Sequence, residues 1–262
     1  MNSIVYLYMK NAVCIICKTP PDISMIEFYN SFNNYDVYMI FDDNKEDYIS
    51  LIKENHPHLN NIIFIQMDEK KCHEAGIKYL NSLLQNGTIH NTRGFGWEKG
   101  IYSFTISNTN YNHVWLLEED VFIFDESTLV NIDEKYGDKD ILCNSSYGEG
   151  KLNEWLWKYI SIPFSPPYYC GMMCACRLSK KYLQIIKEYA SYNKKLFFLE
   201  AFFPTLAKCS NLDVVPNPSE LLTITAISKF NYDKFNKTDL FHPCKDVKEH
   251  TFLRHYLNNK YL

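Results

Sequence analysis

Apolar runs alternate with helix-like stretches along the first half of the chain. Residues 12–17 form a continuous, partly β-branched apolar run, which predicts a buried strand. Thr19, Pro20, Pro21 and Asp22 follow as a turn that can start a helix carrying Ile23, Ile26, Phe28 and Tyr29. Residues 36–41 predict a second strand, ended by Asp42, Asp43 and Asn44, and 45–54 a helix. Residues 61–66 predict a third strand, and 69–84 a helix stopped by Asn86 and Gly87. Residues 97–107 predict another helix. Residues 113–117 predict a fourth strand, ended by Glu118, Glu119 and Asp120, and 139–144 a fifth. Strands alternating with helices of this length predict an α/β fold built from parallel βαβ units. Right-handed crossovers then place helices on both faces of the sheet.

The second half is less regular. Pro163, Pro166 and Pro167 exclude a central strand or a helix interior over 161–169. Residues 169–177 predict a strand with Gly171 near its start. Residues 179–192 predict a helix with Ser179 as N-cap, and 197–208 a helix despite Pro204. Residues 212–215 predict a short strand before Pro216, and 248–257 a helix whose His250 and His255 face solvent. Residues 227–239 are polar and irregular, the pattern of a mobile loop. No repeat or low-complexity linker separates the halves. The expectation is one domain over 1–262, with a first half at 11–145 and a second at 146–262.

Composition narrows the class. With 46% apolar residues and a net charge of −4 over 262 residues, the chain is not a disordered one. That charge gives no electrostatic footprint of a nucleic-acid binder. No stretch approaches the ~18–20 apolar residues of a membrane span, and the first ten residues lack the basic start of a signal peptide. A cytoplasmic or other reducing compartment is therefore expected, and nine cysteines, an odd number, agree with it. Cys14 and Cys17 have CxxC spacing but lie within an apolar run, where they read as core residues. Cys170, Cys174 and Cys176 lack the second CxxC that would complete a zinc site. Aromatic residues reach 16%, enough either to fill a core or to line a site that stacks flat ligands and sugars.

In an open parallel sheet, ligands bind beyond the carboxyl ends of the strands. The strand-ending residues Lys18 and Thr19, Asp42 and Asp43, and Glu118, Glu119 and Asp120 are therefore the candidates. The acidic triplet is the sharpest signal, because an apolar strand has no local reason to end in three repelling charges. Strand alternation puts Glu118 and Asp120 on one face. Two carboxylates there can hold a hard divalent cation with substrate phosphate. The bland alternative is a solvated acidic turn. Asp42 and Asp43 can take ribose hydroxyls or base N–H groups, or simply cap the next helix. Gly94, Phe95 and Gly96 lack a phosphate-loop pattern. Trp97 and Lys99, near the start of the following helix, are better placed to touch a ligand, and Arg93 is similar.

Strand–helix repeats that lead to an acidic triplet resemble the nucleotide-sugar glycosyltransferases of the GT-A fold. The family's DxD motif has Asp first, whereas this chain carries the variant Glu118-Glu119-Asp120. The resemblance covers 11–145 in order and motif and extends more loosely to about 250. It implies a nucleoside-diphosphate sugar donor, with a UDP-sugar favoured, and Mn²⁺ or Mg²⁺ bridging the diphosphate. It implies Asp120 and His242 as metal ligands. It places Lys18, Thr19, Asp42, Asp43, Trp97, Lys99, Glu118, Glu119 and Lys245 on the donor. The acceptor is a hydroxyl of a carbohydrate, glycoconjugate or protein, and inversion would need a carboxylate base. Glu200 is the local candidate, since a lone acid in an apolar segment is costly unless it is paired or used. Trp155, Trp157, Tyr168 and Tyr169 can form an acceptor platform or be core rings. Two rivals stand beside this reading. A sugar nucleotidyltransferase on a similar sheet would carry a Gly-rich basic loop where Lys18-Thr19-Pro20-Pro21 stand. A non-enzymatic carbohydrate-binding module would leave the acidic triplet without a task.

Overall fold

The computed structural model describes residues 10–79, 95–107, 110–143, 148–150, 162–216, 218–223 and 235–260. Its strands are β1 (Asn11–Cys17), β2 (Tyr35–Phe41), β3 (Ile62–Gln66), β4 (His113–Glu118), β5 (Ile141–Cys143), β6 (Gly148–Gly150), β7 (Tyr168–Cys170), β8 (Ala175–Ser179), β9 (Val214–Pro216), β10 (Leu221–Thr223) and β11 (Leu240–His242). Its helices are α1 (Ile23–Asn30), α2 (Tyr48–Asn55), α3 (Lys70–Glu74), α4 (Phe95–Thr105), α5 (Glu126–Lys135), α6 (Lys180–Asn193), α7 (Leu199–Cys209) and α8 (Val247–Lys260). Seven strands make one sheet in the order β3-β2-β1-β4-β8-β5-β9. The first four are mutually parallel, β8 runs antiparallel to both β4 and β5, and β9 is parallel to β5. This is the mostly parallel, Rossmann-like arrangement that the alternating pattern predicts. β8 and β9 come from the second half of the chain and β5 from the first, so the sheet interleaves the halves.

β1 is buried along six of its seven residues because it lies between two parallel neighbours with helices on both faces. Alternation divides its side chains. Ala12, Cys14 and Ile16 join Leu116 against α4, α6 and α7, through Trp97, Ile101, Ile186 and Phe202. Val13, Ile15 and Cys17 join Trp115 and Leu117 against α1 and α5, through Met25, Ile26, Leu129 and Ile132. Each buried Ile here contributes roughly 1.5–3 kcal/mol. Cys14 and Cys17 fall on opposite faces of one strand, both buried, as the core reading of their spacing expects. A third cluster matters more for the site. Phe122, Phe124, Phe241, Cys244, Leu253 and Leu257 pack α8 over the segment that leaves β4.

Several elements differ from the pattern-based expectation. The helix expected over 45–54 begins only at Tyr48. Asp43 accepts from the Lys45 N–H over 2.8 Å, and Asp47 caps the helix through Ser50 N at 3.0 Å. Of the helix expected over 69–84, α3 ends at Glu74 and residues 75–79 are not helical, while 80–84 lie outside the described residues. Gly76 follows with φ of +81°, and a Cβ there would lie 2.3 Å from the Ala190 carbonyl oxygen, so the chain turns under α6. The strand expected over 169–177 is two strands, β7 and β8, separated at 171–174. His250 is not solvated but 2% exposed, with Nε2 2.8 Å from the Cys244 carbonyl oxygen. His255 is exposed as expected. Most of the loop expected over 227–239 lies outside the described residues. No helix among the described residues is long and apolar enough to cross a membrane.

Candidate active site

The carboxyl ends of β1, β2 and β4 open into a cleft of about 550 Å³. Ile16, Cys17, Lys18, Asp42, Gly96, Trp97, Glu118, Glu119, Asp120, Cys244 and Lys245 are among its walls. A depression of about 560 Å³ runs along the short α3, but no sheet edge borders it. Another of about 630 Å³ lies at the opposite, amino ends of β1, β2 and β4. The parallel-sheet rule therefore selects the first.

Backbone hydrogen bonds fix the acidic turn on every side. Glu118, the last residue of β4, donates its N–H to the Cys174 carbonyl over 2.8 Å. Glu119 donates to the Ile16 carbonyl at the end of β1 over 3.2 Å. Phe122 and Phe241 exchange bonds of 2.8 and 3.2 Å, and Cys244 donates to the Asp120 carbonyl over 2.7 Å. This short antiparallel contact brings β11 to the acids. His242 Nε2 lies 3.4 Å from Glu118 Oε2 and 3.3 Å from Asp120 Oδ1. Lys245 Nζ lies 3.5 Å from Asp120 Oδ2. One ligand atom from each of Glu118, Asp120 and His242 lies within 4.8 Å of the other two. Glu119 points the other way, toward the Cys17 thiol and the Lys18 N–H.

Electrostatics follow from this crowding. Burial disfavours the charged His242 ring, but hydrogen bonds to Asp120, Cys174 and Glu118 overcome it and push its pKa up to about 12. Burial likewise works to raise Asp120, and His242 and Lys245 reverse it, holding the carboxyl below its ordinary range. Glu119 is raised, first by burial and then by Asp120. An imidazolium and an ammonium thus face two of the three acids, Glu118 and Asp120. Two carboxylates and an imidazole are also a donor set that suits a divalent ion such as Mn²⁺. Such an ion would have to displace the imidazolium proton.

α4 forms the adjoining wall. A Cβ on Gly96 would sit 2.6 Å from Ile16 Cγ2, so glycine lets the helix start lie directly on β1. Trp97 is buried and donates Nε1–H to Glu118 Oε1 over 3.1 Å. Lys99 is fully buried. Its Nζ donates to the Asp42 carbonyl over 2.5 Å and lies 3.2 Å from Asp42 Oδ1, so its charge is spent inside the protein. Asp42 is raised by burial, with Lys99 opposing, and its side chain borders the cleft. Asp43 is occupied by the turn to Lys45. Lys18 lines the rim, and Thr19 lies beyond that lining.

The far wall is α7. Pro204 stands four residues after Glu200 and has no N–H, so the helix cannot bond the Glu200 carbonyl. Gly171 N–H takes that carbonyl instead, at 2.9 Å. Thr205 Oγ accepts from Tyr169 N and donates to Tyr169 O, both at 2.9 Å. Together these bonds zip β7 and its sequel onto α7. The Glu200 carboxyl, in the first turn, is raised to about 7, first by burial and then by Glu118, with His242 opposing. Tyr168 and Tyr169, on β7, are half-buried. The Tyr168 hydroxyl donates to the Phe164 carbonyl, and Lys208 Nζ lies 5.9 Å from the centre of the Tyr169 ring. Trp155, Trp157 and Arg93 lie outside the described residues.

The structure therefore brings Lys18, Asp42, Trp97, Glu118, Glu119, Asp120, His242, Lys245 and Glu200 to one region. Residue patterns did not point to Cys174 against His242, to Cys244 tied to Asp120, or to the bond from Trp97 to Glu118. Each depends on a long-range contact that leaves no local signal.

A mostly parallel, Rossmann-like α/β sheet with an acid and imidazole cleft at the carboxyl end of its fourth strand is what fold and site define. No protein-family model matches the chain, and no curated protein does. Among solved structures, mouse xyloside xylosyltransferase 1 is 10% identical, covering 89% of this chain and 97% of its own, with a TM-score of 0.47. The 4-diphosphocytidyl-2C-methyl-D-erythritol synthase of Anaerococcus prevotii is 11% identical, covering 95% and 96%, with a TM-score of 0.45. A mannosyltransferase of Pyrobaculum calidifontis, in complex with GDP-Man and Mn²⁺, is 8% identical, covering 94% and 60%, also at 0.45. Likeness at this level leaves the chemistry to the chain's own residues.

Proposed function

We propose that this chain is a metal-dependent glycosyltransferase. It moves a sugar from a nucleoside-diphosphate sugar, a UDP-sugar in the favoured case, to a hydroxyl acceptor with inversion. The observation that carries this reading is the convergence of Glu118, Asp120, His242 and Lys245 at the carboxyl end of a central strand, beside the Asp42 cleft. Residues 11–145 hold the donor. Residues 146–262 hold the acceptor and return His242 and Lys245 to the donor site.

Asp120 and His242, with Glu118, hold the cation. When bound, Mn²⁺ or Mg²⁺ supplies Lewis acidity to the diphosphate. Lys245 neutralises the leaving phosphate, and Lys18 flanks it at the rim. Asp42 faces the nucleoside, and the buried Lys99 positions Asp42. Asp43 and Glu119 support the two strand ends. The Glu200 carboxylate accepts the proton of the acceptor hydroxyl as its oxygen bonds to the anomeric carbon, and the bond from that carbon to the diphosphate breaks. A base with a pKa near 7 suits this transfer at neutral pH. Tyr168 and Tyr169 form the acceptor side.

Thermal unfolding tests the reading. At about a hundredfold excess over Kd, Mn²⁺ with UDP or GDP is expected to stabilise the fold by roughly 2.7 kcal/mol. That is a rise in Tm of about 5 °C or more for a chain of this size. An unchanged Tm with Mn²⁺ and each nucleoside diphosphate would contradict it.

A further inference from the structure

Trp97 is 2% exposed, and its ring packs against Phe203 with centroids 6.2 Å apart. Its single polar atom is nevertheless aimed at the acidic turn. Nε1 donates to Glu118 Oε1 over 3.1 Å, while Glu118 Oε2 faces His242 Nε2 at 3.4 Å. The two oxygens of one carboxylate thus have separate partners. An indole N–H is a donor only, so this bond cannot reverse. A glutamate side chain has one more rotatable bond than an aspartate and loses more freedom when held. A tether on one oxygen offsets that loss. Gly96 makes the tether possible, because it seats α4 on β1, directly beside β4.

We propose that Trp97 is a positioning residue of the cation site. Its N–H holds Glu118 Oε1, turns Oε2 toward Asp120 and His242, and lets a glutamate serve as the first acid of the triplet. The inference rests on the proposed metal-dependent function. It assigns Trp97 a task other than contact with the donor. Partners that orient a metal ligand in this way typically change affinity by roughly 10–100-fold.

The test is a Mn²⁺ titration of the whole chain, without nucleotide, read by the electron paramagnetic resonance signal of free Mn²⁺. Wild type, Trp97→Phe, Glu118→Ala and the double variant are compared. Trp97→Phe, which keeps a ring and removes the N–H, is expected to weaken Mn²⁺ about tenfold. In the Glu118→Ala background the same substitution is expected to change affinity less than about twofold, because its partner is gone. An equal loss in that background assigns Trp97 to packing and overturns the proposal. Equal binding by wild type and Trp97→Phe overturns the tether alone. A wild type that takes up no Mn²⁺ overturns the metal reading and the tether together. Should Trp97→Phe not fold, wild type suffices. Among the four tryptophan indole N–H resonances, that of Trp97 is expected to shift and to gain protection from solvent exchange on adding Mg²⁺. A Trp97 resonance that Mg²⁺ leaves unchanged overturns the proposal.

Discussion

Asp120→Asn is expected to leave a folded protein that binds Mn²⁺ poorly and transfers sugar about 10³-fold more slowly. The magnitude is that of removing a preorganised electrostatic group from a site where charge develops. Asp120 is the hub of the cluster. Oδ1 faces His242 at 3.3 Å, Oδ2 faces Lys245 at 3.5 Å, and its carbonyl takes the Cys244 N–H at 2.7 Å. An asparagine keeps the shape and the backbone bond but removes the charge that both cations balance. The fold is expected to tolerate it at some cost in stability, because His242 keeps Glu118 as a charged partner. Circular dichroism checks the fold, Mn²⁺ titration the site, and nucleoside diphosphate release the rate. Wild-type turnover in this variant would remove Asp120 from the metal assignment.

Glu200→Gln is expected to lower kcat by at least ~10²-fold, the usual contribution of a general base. It is also expected to flatten the acidic limb of kcat/KM, which in the wild type should rise as pH passes about 7. Stability supplies an independent check. The Glu200 pKa is raised from 4.5 to about 7 in the folded chain. The stability linked to its proton is therefore fully present below about 4.5 and lost as pH rises through about 7. Above that range the buried carboxylate costs at most about 3 kcal/mol. Glutamine has no such charge. Metal-free Glu200→Gln should then melt above wild type at pH 8 and level with it near pH 4. A near-wild-type rate would dismiss Glu200 as the base. A lower Tm at pH 8 would show that its charge stabilises the fold.

The core of the sheet was legible because central parallel strands are buried on both faces. Their apolar runs at β1, β2 and β4 need no partner to be recognised. The elements misjudged are those in which a side chain or a distant backbone overrides local pattern. Asp43 and Asp47 turn the chain before α2. Gly76 ends the segment after α3 because α6 lies against it. The place of β8 between β4 and β5 could not be read either, since nothing in its five residues encodes antiparallel insertion.

The site divides the same way. The acidic triplet was legible because three charges closing an apolar strand are locally unfavourable. His242 and Lys245 were plausible only through the resemblance. What places them is one antiparallel contact, Phe122 with Phe241, and a single pair of residues has no periodicity to detect. The position of Trp97 and Lys99 near the start of α4 predicts ligand contact. The structure gives them inward partners, Glu118 and Asp42, where ligand contact was expected. The polar neighbours of His250 predict a solvated ring. Its ring instead lies beside Phe122 and its Nε2 meets the Cys244 carbonyl, holding the segment that carries His242 and Lys245.

The most direct test of the central claim is turnover of a panel of nucleotide sugars, with Mn²⁺ and with a chelator. The account predicts that at least one, a UDP-sugar first among them, releases its nucleoside diphosphate with Mn²⁺. That release should stop with the chelator and in Asp120→Asn. Nucleoside diphosphate release that persists unchanged with the chelator would contradict the account. So would turnover in which a nucleoside triphosphate and a sugar phosphate yield pyrophosphate.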